Sequence, residues 1–90
     1  MEIYIRTNMV MSNDEYIENG RRNFLSYDNC KASIKEYIEE LIRDVNNVKI
    51  EKEEENTLRP YHMYTIKVSW TGVGNTIHKE MFTIHKEYVY

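Results

Sequence analysis

Ser33-Ile34-Lys35-Glu36-Tyr37-Ile38-Glu39-Glu40-Leu41-Ile42-Arg43-Asp44-Val45 is the stretch whose reading decides the fold. Its apolar residues, Ile34, Tyr37, Ile38, Leu41, Ile42 and Val45, recur at the i, i+3, i+4, i+7 spacing of one helix face. Asp28 or Asn29 can cap its start by accepting a free backbone N–H, so the predicted principal helix runs Asn29–Val45. Asn46-Asn47 ends it, because asparagine tolerates the left-handed backbone that a helix stop uses. Ile34, Ile38, Leu41, Ile42 and Val45 form the inner stripe. Glu36, Glu39, Glu40 and Asp44 form the outer one, with Glu39 and Arg43 spaced for an i, i+4 ion pair.

Around this helix the chain reads as strand and turn. Residues 3–11 are β-branched, aromatic and alternating, a first strand. Ser12 and Glu15 have capping-box spacing and predict a short helix over Asn13–Phe24, which Asn19-Gly20 interrupts; an ordered loop is the alternative. From Val48 the period changes to two, giving a strand whose charged far end would blunt a sheet edge. Residues 55–60 turn the chain. Tyr61–Thr71 reads as a strand with His62, Tyr64, Ile66, Val68 and Trp70 on one face, and Gly72-Val73-Gly74-Asn75 closes the next hairpin. The predicted fold is therefore α+β: a small antiparallel sheet of about four strands, covered on one face by the principal helix, in one domain spanning residues 1–90.

The last segment carries an echo: Thr76-Ile77-His78-Lys79-Glu80 recurs as Thr83-Ile84-His85-Lys86-Glu87. An offset of seven returns to one face on a helix but to opposite faces on a strand. The β-formers and the glycine turn before them favour strand. The odd offset then demands either a bulge near Met81-Phe82 or a strand packed on both faces. Tyr88-Val89-Tyr90 is apolar enough to be paired or docked.

Charge narrows the function. The net charge is −3, but Glu36, Glu39, Glu40, Asp44, Glu51, Glu53, Glu54 and Glu55 oppose only Arg43, Lys49 and Lys52 within residues 36–55. Such a patch repels phosphates and attracts basic surfaces. No stretch approaches the length of a membrane span, and residues 1–4 lack a signal-peptide pattern, so a cytoplasmic location is expected. A lone cysteine, Cys30, cannot bridge within the chain and suits a reducing compartment or a contact between chains. A small core, that cysteine and the aromatic C-terminus favour a homodimer built by pairing edge strands.

Catalytic signals are weak. Cys30 near a helix start would need a base within reach, and none is visible in the sequence. His62, His78 and His85 have no recognised metal-ligand spacing, so neither metal nor cofactor is expected. The Gly72–Asn75 turn lacks the helix N-terminus that a phosphate loop uses. A sheet face bearing Trp70 with Arg6, Arg59, Lys67, Lys79 and Lys86 could stack and neutralise nucleic acid, but those cations are scattered in a net acidic chain.

Size, acidity, eight tyrosines and a Lys/Asn/Ile bias together resemble the small accessory proteins of phages and other mobile elements. The resemblance is compositional and assigns no role to any residue. It implies an inhibitor of host machinery, of the anti-CRISPR or other anti-defence type. The expected function is thus a non-enzymatic protein-binding module. Its eight acidic residues, from Glu36 to Glu55, would meet a basic partner surface such as the nucleic-acid groove of a host nuclease, with tyrosines supplying affinity. The alternatives are a nucleic-acid-binding protein and a histidine-based metal or enzyme site.

Overall fold

The computed structural model describes residues 1–59 and 61–90. Five strands and one helix follow in the order β1 (Glu2–Ser12), β2 (Glu15–Phe24), α1 (Tyr27–Asp44), β3 (Lys49–Glu55), β4 (Tyr64–Thr71) and β5 (Ile77–Tyr88). All strand pairs are antiparallel, and the sheet order is β2-β1-β5-β4-β3. The α+β fold with one covering helix is as expected, with five strands where about four were predicted.

The additional strand is the segment read as a short helix or loop over Asn13–Phe24. Asn13 and Asp14 both take positive φ, at 51° and 66°, making a two-residue hairpin turn whose twist matches the strands it joins. Ser12 is therefore the last residue of β1 and pairs with Glu15, rather than capping a helix with it. Gly20 lies where the register slips between Asn8 and Met9, so the residue that argued against a helix marks a bulge instead.

The helix begins two residues earlier than predicted. Ser26 is the N-cap, its hydroxyl accepting from the Asn29 N–H at 3.3 Å, and Asp28 lies inside the first turn, where its charge suits the helix dipole. The chain leaves the helix at Val45 and turns through Asn47 at φ 67°. Cys30, Ile34 and Ile38 are buried. They pack with Tyr64, Ile66 and Val68 of β4 and Phe82 and Ile84 of β5, flanked by Tyr4, Phe24, Tyr27, Leu41 and Trp70. Ile42, expected in the inner stripe, is 52% exposed, because the helix backbone comes nearest β1, β2 and β5 and its other flank stands clear of β3.

β5 lies at the centre of the sheet with continuous register to β1 and β4 on its two sides. No bulge interrupts it, so the seven-residue echo is resolved by the second expectation, a strand used on both faces. His78 stacks on Trp70 on the helix side, with ring centroids 5.4 Å apart, while His85 stacks on Tyr61 on the other side at 6.2 Å. Gly72 makes room for the first stack: a Cβ there would lie 2.5 Å from His78 Nε2. β4 is shorter than predicted, beginning at Tyr64, because His62 turns the chain at φ 53°. Beyond β5, Val89 exchanges backbone bonds with Met1, whereas Tyr90 is fully exposed. Among the described residues no helix is long and apolar enough to cross a membrane.

This packing separates two isoleucines that the sequence places in one stripe. Ile34→Ala, which opens a cavity at the buried centre, is expected to cost about 3 kcal/mol, whereas Ile42→Ala is expected to cost about 0.5 kcal/mol. Urea unfolding of both variants checks the contrast.

Candidate functional site

The eight acidic residues divide into two groups with different surroundings. On α1, Glu36, Glu39, Glu40 and Asp44 are exposed, and none makes an ion pair among the described residues; the expected Glu39–Arg43 pair is not closed. On β3 every residue is exposed, yet each glutamate has a partner. Glu55 accepts from Lys31 Nζ at 2.7 Å and from the Tyr27 hydroxyl. Glu53 accepts from the Tyr64 hydroxyl at 2.5 Å. Glu54 pairs with Lys52 at 3.2 Å and Glu51 with Lys79 at 3.9 Å.

A register shift between Ile50 and Lys52 explains this arrangement. Strict alternation would put Ile50 and Glu53 on opposite faces. The bulge at Glu51 brings them to one face, opposite Val68 and Ile66 of β4. Glu53 and Glu55 thereby point to the helix side and Glu54 to the other. The result is a clasp between the helix N-terminus and the edge strand, with Lys31 also 5.1 Å above the Tyr64 ring. Lys31 and Tyr27 hold the Glu55 carboxyl below the usual carboxylate value. Burial and the neighbouring carboxylates push the hydroxyls of Tyr27 and Tyr64 upward, so both stay protonated donors. The tyrosines expected to supply affinity are therefore partly committed to the fold. Tyr37 is another case: its hydroxyl donates to Glu80 Oε1 at 3.1 Å, and burial raises it to about 12.

Where α1 stands clear of β3, the two acidic groups converge on a groove of about 230 Å³ lined by Lys35, Ile38, Glu39, Ile42, Ile50, Glu53 and Ile66. Glu39 stands on the helix wall and Glu53 on the strand wall. Ile38 and Ile66 lie at the floor, with Ile42 and Ile50 half open to water at 52% and 53%. A rim of two glutamates and one lysine over an aliphatic floor can take a basic side chain whose methylenes lie on the isoleucines. The sequence signal for Ile50 was present, as the one aliphatic residue of a charged strand. Ile42 gave no such signal, because its helical spacing is that of a core residue.

The remaining candidates fall apart in space. Cys30 is fully buried, and that burial raises its thiol to about 11, against the reactive-nucleophile role. His78 and His85 lie on opposite faces of the sheet and His62 in the loop before β4; among the described residues no three metal-type ligands converge. Of the residues for a nucleic-acid face, Trp70 and Arg6 lie on the helix side, Arg6 donating to Ser33 Oγ at 3.0 Å. Lys67 lies on the opposite side, over the Tyr16 ring.

Two carboxylates bonded to tyrosines, Glu55 in the clasp and Glu80 beside Tyr37, have opposite pH signatures. Glu55 titrates below its unfolded value, so its contribution is present above about pH 4.5 and is lost as pH falls through the lowered value. Glu55→Gln is expected to be less stable than the parent at pH 7, the gap closing in acid. Glu80 is raised by burial, so Glu80→Gln is expected to be more stable at pH 7, with that gap also closing as pH falls. Tyr64→Phe, which removes one donor to a carboxylate, is expected to cost about 1 kcal/mol at neutral pH. Urea midpoints across pH 3–8 measure all three. No family model, curated protein or solved structure matches this chain.

Proposed function

We propose that this chain is a non-enzymatic protein-binding module that docks a basic surface of a partner protein into the acidic groove between α1 and β3. The observation that carries this reading is the groove itself: an aliphatic floor with two half-exposed isoleucines, walled by Glu39 and Glu53 with Lys35 beside them. Glu36, Glu40 and Asp44 extend the negative charge along the helix and have no ion-pair partner among the described residues. Charge of one sign steers encounter with the opposite sign, and a desolvated aliphatic centre supplies the affinity that exposed charge alone does not.

Within that reading, the partner class is a protein that normally grips nucleic acid. Its lysine- and arginine-lined groove has the charge this surface complements, and occupying it would inhibit the partner. This is the behaviour implied by the compositional resemblance to anti-CRISPR and other anti-defence proteins of mobile elements. The function is then inhibition of a host nucleic-acid-handling protein in the cytoplasm.

Reversing the helix charges tests this more cleanly than reversing those of β3, whose glutamates also hold the fold. Capture of a basic partner from host lysate, identified by mass spectrometry, is expected with the parent chain. Capture is expected to fall at least tenfold for Glu36→Lys/Glu39→Lys/Glu40→Lys and for Ile42→Ser/Ile50→Ser, and to weaken with added salt. Equal capture of the same partner by the charge-reversed chain would sink the proposal.

A further inference from the structure

Among the described residues no helix or strand covers the sheet face turned away from α1, where Tyr61 stacks on His85 at one end, and the registers place two rows of side chains across all five strands. The first row reads Glu54, Thr65, Thr83, Thr7, Arg21 from β3 to β2. The second reads Lys52, Lys67, Met81, Met9, Glu18. Their alternation partners fix the side: Arg6 bonds to the helix, Phe82 and Ile84 pack in the core, and Glu53 and Glu55 join the clasp. Each row has opposite charges at its two ends, and the two rows are charged in opposite senses. Apart from Lys67 the middle is made of threonine and methionine, with Thr7 and Thr83 both 4% exposed between longer neighbours.

That pattern is self-complementary. A two-fold axis lying along β5, the central strand, lays β3 of one copy over β2 of another. Glu54 then meets Arg21, and Lys52 meets Glu18, at both rims. Thr65 lies over Thr7, and Thr83 and Met81 each lie over their own copies. Lys67, the one charged residue in the middle of these rows, already has its ammonium 5.5 Å from the Tyr16 ring of its own chain. Five strands about 4.8 Å apart and roughly ten residues long give a face of about 800 Å², the area each partner contributes to a standard stable interface. Along the two rows the centre carries little charge and the rim is charged, the usual anatomy of such an interface, with Lys79 and Glu87 of β5 on the same face beyond the rows; two twisted sheets pack in this aligned way in β-sandwiches.

We propose that the chain forms a homodimer through this open sheet face, a two-layer sandwich flanked by the two helices. The proposal is independent of the acidic groove, which lies on the opposite side of the sheet and stays accessible in the dimer. It also differs from dimerisation by edge-strand pairing, which would leave the face uncovered.

Sedimentation of the full chain from micromolar to sub-millimolar concentration is expected to give twice the 10.9 kDa of one chain. Two charge-swapped chains then test the geometry: Glu18→Lys/Arg21→Glu and Lys52→Glu/Glu54→Lys. Each alone is expected to dimerise at least tenfold more weakly, since like charges meet at both rims. Mixed one to one, the two are expected to regain the parent affinity as a heterodimer. These four residues are exposed; circular dichroism verifies that the variants fold. The parent chain gives a second measurement without any substitution: Met9 and Met81 should gain protection from peroxide oxidation as concentration rises, whereas Met1, which is 73% exposed, should not. A parent chain that stays monomeric, swaps that leave dimerisation unchanged, a mixture that fails to recover, or concentration-independent oxidation of Met9 and Met81 would each overturn the proposal. The first of these results would leave the face free for a different protein.

Discussion

The structure depends on one helix stripe finding the middle of one sheet. Cys30, Ile34 and Ile38 are almost the whole of what α1 buries, and their counterparts on β4 and β5 are the most enclosed residues of the protein. At roughly 25 cal/mol per Å² of apolar surface removed from water, a few such side chains supply most of the cohesion between the two layers. The polar contacts then fix how the helix lies. Ser33 receives Arg6 at the β1 side, Tyr37 reaches Glu80 on β5, and Tyr27 with Lys31 grips Glu55 at the β3 edge. These ties hold the helix N-terminus to β3 and its middle to β5, and farther along the helix the groove opens between Ile42 and Ile50.

What could be read from the sequence follows from how local its causes are. The helix was legible because its apolar spacing lies within a few turns. The hairpin at Gly72–Asn75 was legible because positive φ is a single-residue property, carried here by Gly74 and Asn75. β5 was legible as a strand because its β-forming residues and the glycine turn before them outweigh a seven-residue offset that a helix would also satisfy. β2 is hidden in the sequence because Ser12 and Glu15 satisfy a helix-start pattern equally well, and the competing signal comes from pairing with β1, which spacing within the segment does not report. The exposure of Ile42 is hidden for a related reason: periodicity says which residues share a face, but the placement of the helix over the sheet decides how much of that face is covered.

The acidic site was legible as composition and only partly as geometry. Nothing in Glu51-Lys52-Glu53-Glu54-Glu55 announces a bulge, yet the bulge decides which carboxylates face the helix. It converts a run of surface charge into a clasp on one side and a rim on the other. The tyrosine bias also takes on a more definite role: at positions 27, 37 and 64 the ring fills space between the layers while the hydroxyl donates to a carboxylate at the boundary with water.

The central place of β5 has a further consequence, for the order in which the chain acquires structure. β1 pairs with β2 through a two-residue turn, but its other edge pairs with residues about eighty positions later. During synthesis the first hairpin and the helix must wait, with one strand edge unpaired and the apolar stripe uncovered, until the final strand is made. β4 can meet β5 quickly across the glycine turn, so closure of β1 onto β5 is the long-range event that completes the sheet. Contacts of such sequence separation are slow to form, because the entropy of closing the loop is spent before the contact rewards it. Pairing of β1 with β5 is therefore the step expected to limit how fast this sheet closes.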